Sequence, residues 1–243
     1  ISPFLNGQTL QVLTMALTLA ILISAFGGKY KAKILKPMET EIKYQRNYQD
    51  IILWLEKKGV ELYGNQFKIL ETDHAIIHKL IAYFLNDEIT CFQLNIDLNK
   101  GILLSGPVGI GKTSLMNLMK NLTTSEHKFY IKPCRDISYE FIQDGYEVIQ
   151  KYSKGKLYPD PKTICFDDLG IENNIKYYGN ECNVMAEILL SRYDLFISKK
   201  IITHITTNLS ATEIESAYGN RVRSRLRSMV NLIAFDKSTK DKR

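Results

Sequence analysis

Nine consecutive residues constrain this 243-residue chain more than any other stretch. Gly106, Pro107, Val108, Gly109, Ile110, Gly111, Lys112, Thr113 and Ser114 complete the pattern GxxxxGK[ST]. They follow Gly101–Ser105 (GILLS), which reads as a short buried strand, and they precede Leu115, Met116, Leu118 and Met119, which read as one helix. Each residue type in the pattern has a physical task. The glycines let backbone N–H groups close around phosphate oxygens, and the helix start adds positive potential. Lys112 bridges the β- and γ-phosphates, and Thr113 ligates magnesium. The alternative, an ordinary glycine turn, does not explain why strand, loop and helix occur in this order.

A phosphate loop of this kind needs an acidic partner on a neighbouring strand. Thr163 to Phe166 (TICF) reads as that strand and runs into Asp167, Asp168, Leu169 and Gly170. Asp167 is expected to hold Mg²⁺, directly or through water, and Asp168 to polarise the attacking water as general base. The bland alternative is a pair of aspartates capping a turn before Gly170. His127 to Ile131 reads as a further strand, Ile137 to Tyr152 as a helix interrupted at Gly145, and Met185 to Ile197 as an apolar helix. Ile201 to Thr206 is the next strand, ending in Thr207 and Asn208. If it lies between the two strands already named, the Asn208 amide sits beside the γ-phosphate and can position water. His204, inside the strand, reads as a packed core residue. Ser210 is placed to cap a helix over Ala211 to Ser216, with Glu213 completing a capping box. Arg221, Arg223, Arg225 and Arg227 follow, and then a closing strand from Val230 to Phe235. Alternate residues on a helix lie about 200° apart, so Arg221 and Arg225 share one face and Arg223 and Arg227 another. One pair is suited to a γ-phosphate held by a neighbouring subunit and the other to nucleic-acid phosphates; the plain alternative is a basic helix that only meets solvent.

Charge supports an anionic partner. The formal net charge is +6, and the last 24 residues carry all of the excess. With 45% hydrophobic and 24% charged residues, the chain falls outside disordered, collagen-like and disulfide-scaffold classes. Cys91, Cys134, Cys165 and Cys182 are scattered, without a CxxC pair, which favours reduced thiols in the cytoplasm over a zinc or redox site. Residues 1–28 hold no charged side chain, and Thr9 to Phe26 is nearly long enough to cross a bilayer, with Lys29, Lys31, Lys33 and Lys36 directly behind it. Three readings stand for this leader: a membrane anchor, a mis-set start or fragment edge ahead of Met38, and a buried or cleaved segment. Beyond Met38, Tyr44, Tyr48, Ile51, Ile52 and Leu55 predict an amphipathic helix stopped by Gly59. A second helix, capped by Asp73, presents Ile77, Leu80, Ile81, Phe84 and Leu85. This region reads as a helical appendage without a part in the site. The expected division is therefore a leader over 1–37, a helical region over 38–96, a nucleotide-binding core over 97–236 and a basic tail over 237–243.

The ordered set GPVGIGKTS (106–114), ICFDDLG (164–170), ITTNLS (205–210) and YGNRVRSRL (218–226) resembles the AAA+ ATPases of the DnaC helicase-loader and IstB transposition-helper group, over residues 97 to 236. The resemblance implies a P-loop NTPase of the ASCE type, with five parallel strands flanked by helices, ATP hydrolysed between adjacent subunits, and DNA as the working surface. Carried over by motif, Lys112 and Thr113 belong to Walker A, Asp167 and Asp168 to Walker B, and Asn208 is sensor 1. Arg225 is the arginine finger, with Arg221 assisting, which leaves Arg223 and Arg227 for DNA. The implied cofactors are ATP and Mg²⁺, and the implied partners are single- or double-stranded DNA, further copies of the chain in a ring or spiral, and a helicase or transposase. Two departures bear on this. Only 18 residues follow Arg225, so the helical lid and second sensor arginine of many AAA+ proteins have no room, as in this subgroup, and the region before residue 97 shows no recognised partner-binding sequence. Two other function classes share parts of the pattern. A P-loop kinase would have the phosphate loop but no reason for the asparagine strand tip and paired arginines; a nucleotide-regulated scaffold, membrane-tethered by residues 9–26, would not need Lys112, Asp167 and Asp168 together.

Overall fold

The computed structural model describes residues 48–123, 128–154, 162–172, 175–177, 180–236, 239 and 241–242. The leader over 1–37 lies outside these residues. By contacts the chain divides into Ile1–Trp54 and Leu55–Arg243, so everything from Leu55 onward belongs to one compact unit with the sheet. The helical region expected to stand apart over 38–96 is, from Leu55, part of that unit. Among the described residues no helix is long and apolar enough to cross a membrane.

Helix α1 spans 48–63. It does not stop at Gly59: a Cβ there would lie 2.1 Å from the Phe67 ring, so glycine serves close packing of Phe67 inside a continuing helix. After a 3-10 turn at Glu71–Asp73 come α2 (His74–Phe84) and α3 (Glu88–Gln93). Asp73 makes no cap hydrogen bond to α2; its carboxylate is instead paired with the Lys242 ammonium. The remaining order is β1 (Gly101–Ser105), α4 (Lys112–Met119), β2 (Tyr130–Pro133), α5 (Cys134–Asp144), α6 (Tyr146–Lys154), β3 (Ile164–Leu169), β4 (Ile175–Tyr177), β5 (Asn180–Cys182), α7 (Val184–Lys199), β6 (Thr203–Thr207), α8 (Ala211–Met229) and β7 (Val230–Ala234). Gly145, at φ 59°, separates α5 from α6 where the sequence marked an interruption.

Five strands form one all-parallel sheet in the order β2-β3-β6-β1-β7. Helices cover both faces, as a parallel sheet requires. Alternation along each strand sorts the core into two layers. Leu103, Ile164, Phe166 and Ile205 point into a cluster with Phe141 of α5, Val148 of α6, Ile188 of α7 and Leu226 of α8. On the other face His204 meets the rings of Tyr83 and Phe84 from α2 and of Phe129. The His204 Nδ1 accepts a hydrogen bond from the Ile102 N–H at 3.1 Å, and burial, with the charge of Arg192, lowers its pKa to about 3. A neutral, hydrogen-bonded imidazole is the core residue expected from the strand pattern.

The capping box forms: Ser210 Oγ accepts from the Glu213 N–H, and Glu213 Oε2 accepts from the Ser210 N–H at 2.7 Å. The helix it starts runs to Met229 rather than ending near Ser216, with a break at Gly219 (φ 85°, ψ 160°). Val222, Leu226 and Met229, at helical spacing, bury the second half.

Candidate nucleotide site

The strand tips of β1, β6 and β3 converge on one end of the sheet. Gly109 and Gly111 adopt φ of 83° and 87°, a region strained for any residue with a side chain, which turns the chain sharply into α4. No side chain caps α4, so its start turns the positive end of the helix toward the loop. Lys112 is nearly buried, and its Nζ donates to the carbonyls of Gly106 and Pro107, each at 2.8 Å. The ammonium is thereby held over the loop it would serve.

One turn into α4, Thr113 Oγ1 lies 3.0 Å from both carboxylate oxygens of Asp167 at the end of β3. A hydroxyl and a carboxylate meeting beside a phosphate loop are hard oxygen donors of the class Mg²⁺ takes. These residues fit a magnesium nucleotide. Asp168 lines the adjoining cavity, of about 1090 Å³, together with Gly109, Lys112 and Thr113. Asn208 is exposed immediately beyond β6, whose Thr207 registers with Ser105 of β1 and Leu169 of β3. The strand that carries Asn208 at its end therefore lies between β1 and β3, as the sequence reading required, while Asn208 is not among the residues that line the cavity.

The cavity has a second wall that the sequence reading missed. Phe67, Ile69, Leu70, Ile76 and Ile77, from the segment between α1 and α2, line it opposite the loop. The helical region, expected to be an appendage, thus supplies an apolar part of the cavity wall. The only sequence signal was the apolar periodicity of α2, which local reasoning assigns to core. The chain's last described residues also reach the cavity. The Lys242 N–H donates to the Gly109 carbonyl at 3.2 Å, and the Asp241 carboxylate packs where a Gly109 Cβ would lie. Just beyond β3, Glu172 accepts from the Gly170 N–H at 3.0 Å and from the Tyr218 hydroxyl; burial is the main cause of its raised pKa. The pair ties the tip of β3 to α8 one residue before its kink.

The four arginines are in α8 and none lines the cavity. Arg221 and Arg227 are exposed. Arg225 lies along α7, its guanidinium 5.0 Å from the Tyr193 ring centre and Nη1 3.4 Å from the Leu190 carbonyl. Arg223 is ion-paired with Glu215 across the Gly219 kink. The two-face picture therefore holds in spacing, while Arg223 already has a carboxylate partner in its own chain.

Residues 101–173 match the family model of the AAA domain, dynein-related subfamily. The match begins at β1, contains the whole phosphate loop, and ends just past the paired aspartates of β3. The matched stretch lies in a five-stranded all-parallel sheet flanked by helices. Solved structures similar to this chain include the DnaC helicase loader, 19% identical over 61% of this chain and 86% of that one, TM-score 0.44. DnaI is 20% identical over 62% of this chain and 82% of that chain, with a TM-score of 0.42. AMPPCP-bound DnaA from Aquifex aeolicus is 15% identical over 70% of this chain and 48% of its own, with a TM-score of 0.45. No curated protein sequence matches the chain.

Proposed function

We propose that this chain is a DNA-dependent ATPase of the DnaC and IstB type, acting in the cytoplasm to load or regulate a DNA-processing partner, a replicative helicase or a transposase. ATP hydrolysis occurs at interfaces between copies of the chain. The observation that supports this reading is the Thr113–Asp167 contact with Asp168 and Lys112 lining the same cavity, residue types suited to binding a magnesium nucleotide and activating water. An adenine ring rests on the wall of Phe67, Ile69 and Ile77, and the triphosphate lies along residues 106–114. Thr113 and Asp167 would hold Mg²⁺, which supplies charge neutralisation at the β- and γ-phosphates when bound. Asp168 accepts a proton from a water oriented with the help of Asn208. The water oxygen bonds to the γ-phosphorus, the bond from phosphorus to the β–γ bridging oxygen breaks with its electron pair going to ADP, and inorganic phosphate leaves. Arg225, assisted by Arg221, reaches the γ-phosphate of the adjacent copy, and Arg227 and Arg223 contact DNA phosphates.

The deciding measurement is ATP turnover with and without single- and double-stranded DNA. Turnover is expected to rise with DNA, and Arg227→Ala to weaken DNA binding with a salt slope smaller by about one phosphate contact. Turnover indifferent to DNA, from a protein that binds none, would refute the DNA-dependent reading and leave the kinase or scaffold classes.

A further inference from the structure

The paired aspartates pose a geometric problem that a third residue solves. Consecutive residues of a regular strand point to opposite faces of the sheet, so Asp167 and Asp168 cannot both serve one site from an unbroken β3. The ladder between β3 and β6 breaks at that point. Phe166 registers with Ile205 and Leu169 with Thr207, so two residues of β3, both aspartates, stand opposite one residue of β6, Thr206. This is a β-bulge, a device that re-aims side chains next to active sites. Asp168 takes the left-handed conformation, φ 58°, at the bulge.

Thr206 is fully buried, and its single hydroxyl touches both aspartates. It donates to Asp167 Oδ1 at 2.6 Å and accepts from the Asp168 backbone N–H at 2.8 Å. The hydroxyl thus takes up a strand amide left over by the bulge, and it orients the carboxylate that also receives Thr113. From these contacts we infer that Thr206 is a positioning residue for the ATPase centre: it fixes the bulge that aims Asp167 at the metal position and Asp168 at the water. The inference rests on the ATPase reading above, although the bulge itself does not depend on it. Among the described residues, the Asp167 carboxylate is held by two threonine hydroxyls, from α4 and β6, and by no backbone amide. Removing one should loosen the metal position and not the phosphate loop, which Thr206 does not touch.

The test compares Thr206→Val, Thr206→Ala and Thr206→Ser with Thr203→Val, a buried hydroxyl at the other end of the same strand, bonded to Arg192. In nucleotide-free protein, amide hydrogen exchange of the peptide over 164–170 should accelerate at least about tenfold in Thr206→Val and stay near wild type in Thr206→Ser and Thr203→Val. The Mg²⁺ concentration for half-maximal turnover should rise by about 10- to 100-fold, the scale of losing a group that orients a metal ligand, while ATP affinity measured without Mg²⁺ is unchanged. Where the valine variant fails to fold, Thr206→Ala against Thr206→Ser isolates the hydroxyl. Wild-type exchange and Mg²⁺ dependence in the hydroxyl-free variants overturn the inference, as does an equal Mg²⁺ shift in Thr203→Val or failure of serine to restore function. Should the wild type show no Lys112-dependent turnover, it is the ATPase reading that fails, and the exchange measurement still decides the role of Thr206 at the bulge.

Discussion

His204→Asn converts the burial of one imidazole into a measurable pH dependence of stability. In the folded chain the ring is 2% exposed, packed edge-on or tilted against Tyr83, Phe84 and Phe129, with Arg192 the charged neighbour and Cys165 its partner across the ladder. Burial first and the Arg192 charge second lower its pKa to about 3, against an unfolded value of about 6.5. Between those values the unfolded chain binds a proton here that the folded chain refuses. Stability from this group is therefore complete above pH 6.5 and is lost as pH falls toward 3. The slope approaches about 1.4 kcal/mol per pH unit, so that at pH 5 wild type has lost about 2 kcal/mol on account of this residue. Asparagine cannot titrate, and its side-chain oxygen can accept from Ile102 N–H in place of Nδ1. The smaller side chain costs a pH-independent amount, about 1 to 3 kcal/mol for the lost ring contacts. Urea unfolding of both proteins at pH 7.5, 6 and 5, at constant ionic strength, reads the difference, and carboxylates and His78 cancel because both proteins contain them. The stability gap should narrow by about 2 kcal/mol from pH 7.5 to pH 5. A gap constant within about 0.5 kcal/mol over that range would show that His204 titrates alike in both states, and the account of its burial would be wrong.

Lys112→Ala should abolish nucleotide binding, whereas Asp168→Asn should bind ATP and stop its turnover; unaltered hydrolysis in the second removes Asp168 as general base. Arg225→Ala should bind ATP normally and hydrolyse it about 10³- to 10⁵-fold more slowly, and mixing it with Asp168→Asn should restore partial turnover at interfaces that combine the intact residues. No restoration in demonstrably mixed oligomers would place Arg225 in its own chain's chemistry. Asp241→Asn should tighten ATP binding about two- to fivefold in a fluorescence titration, because a carboxylate beside Gly109 repels the triphosphate; equal affinities would mean that the terminal segment lifts without cost.

Legibility in the sequence followed the range of the interactions involved. The phosphate loop, the Gly145 interruption and the Ser210–Glu213 capping box are local, and each is where the residue pattern put it. Gly59 misleads because its reason lies in the Phe67 ring, eight residues on, and not in its own backbone. Asp73 has the residue type of a helix cap, but its carboxylate is taken by Lys242, 169 residues away. β2 begins at Tyr130 and closes at Pro133 rather than spanning 127–131; the expected start at His127 lies outside the described residues. In the site, Asp167, Asp168 and Asn208 drew attention in the sequence by residue type and by their place at strand ends. Thr206 did not, since a threonine in a strand is ordinary and only the register of β3 against β6 sets it opposite both aspartates.

The distribution of positive charge bears on the proposal that the site is shared between copies of the chain. Among the described residues that line the cavity, Lys112 is the cation at the loop itself, and it is already folded back on Gly106 and Pro107. The cavity's other cations, Lys68 and Lys242, belong to the wall and to the terminal segment, and Lys242 is neutralised by Asp73. The arginines lie on α8, in the helical layer that packs on the opposite face of the sheet from α2. Arg225 is held there by the Tyr193 ring and the Leu190 carbonyl of α7. Charge developing on a γ-phosphate in this cavity would thus lack an arginine from its own chain among the described residues. Of the four arginines on the helix kinked at Gly219 and tied to the tip of β3 through Tyr218 and Glu172, Arg221 and Arg227 are exposed, so the proposed delivery of Arg225 to another copy requires it to leave Tyr193.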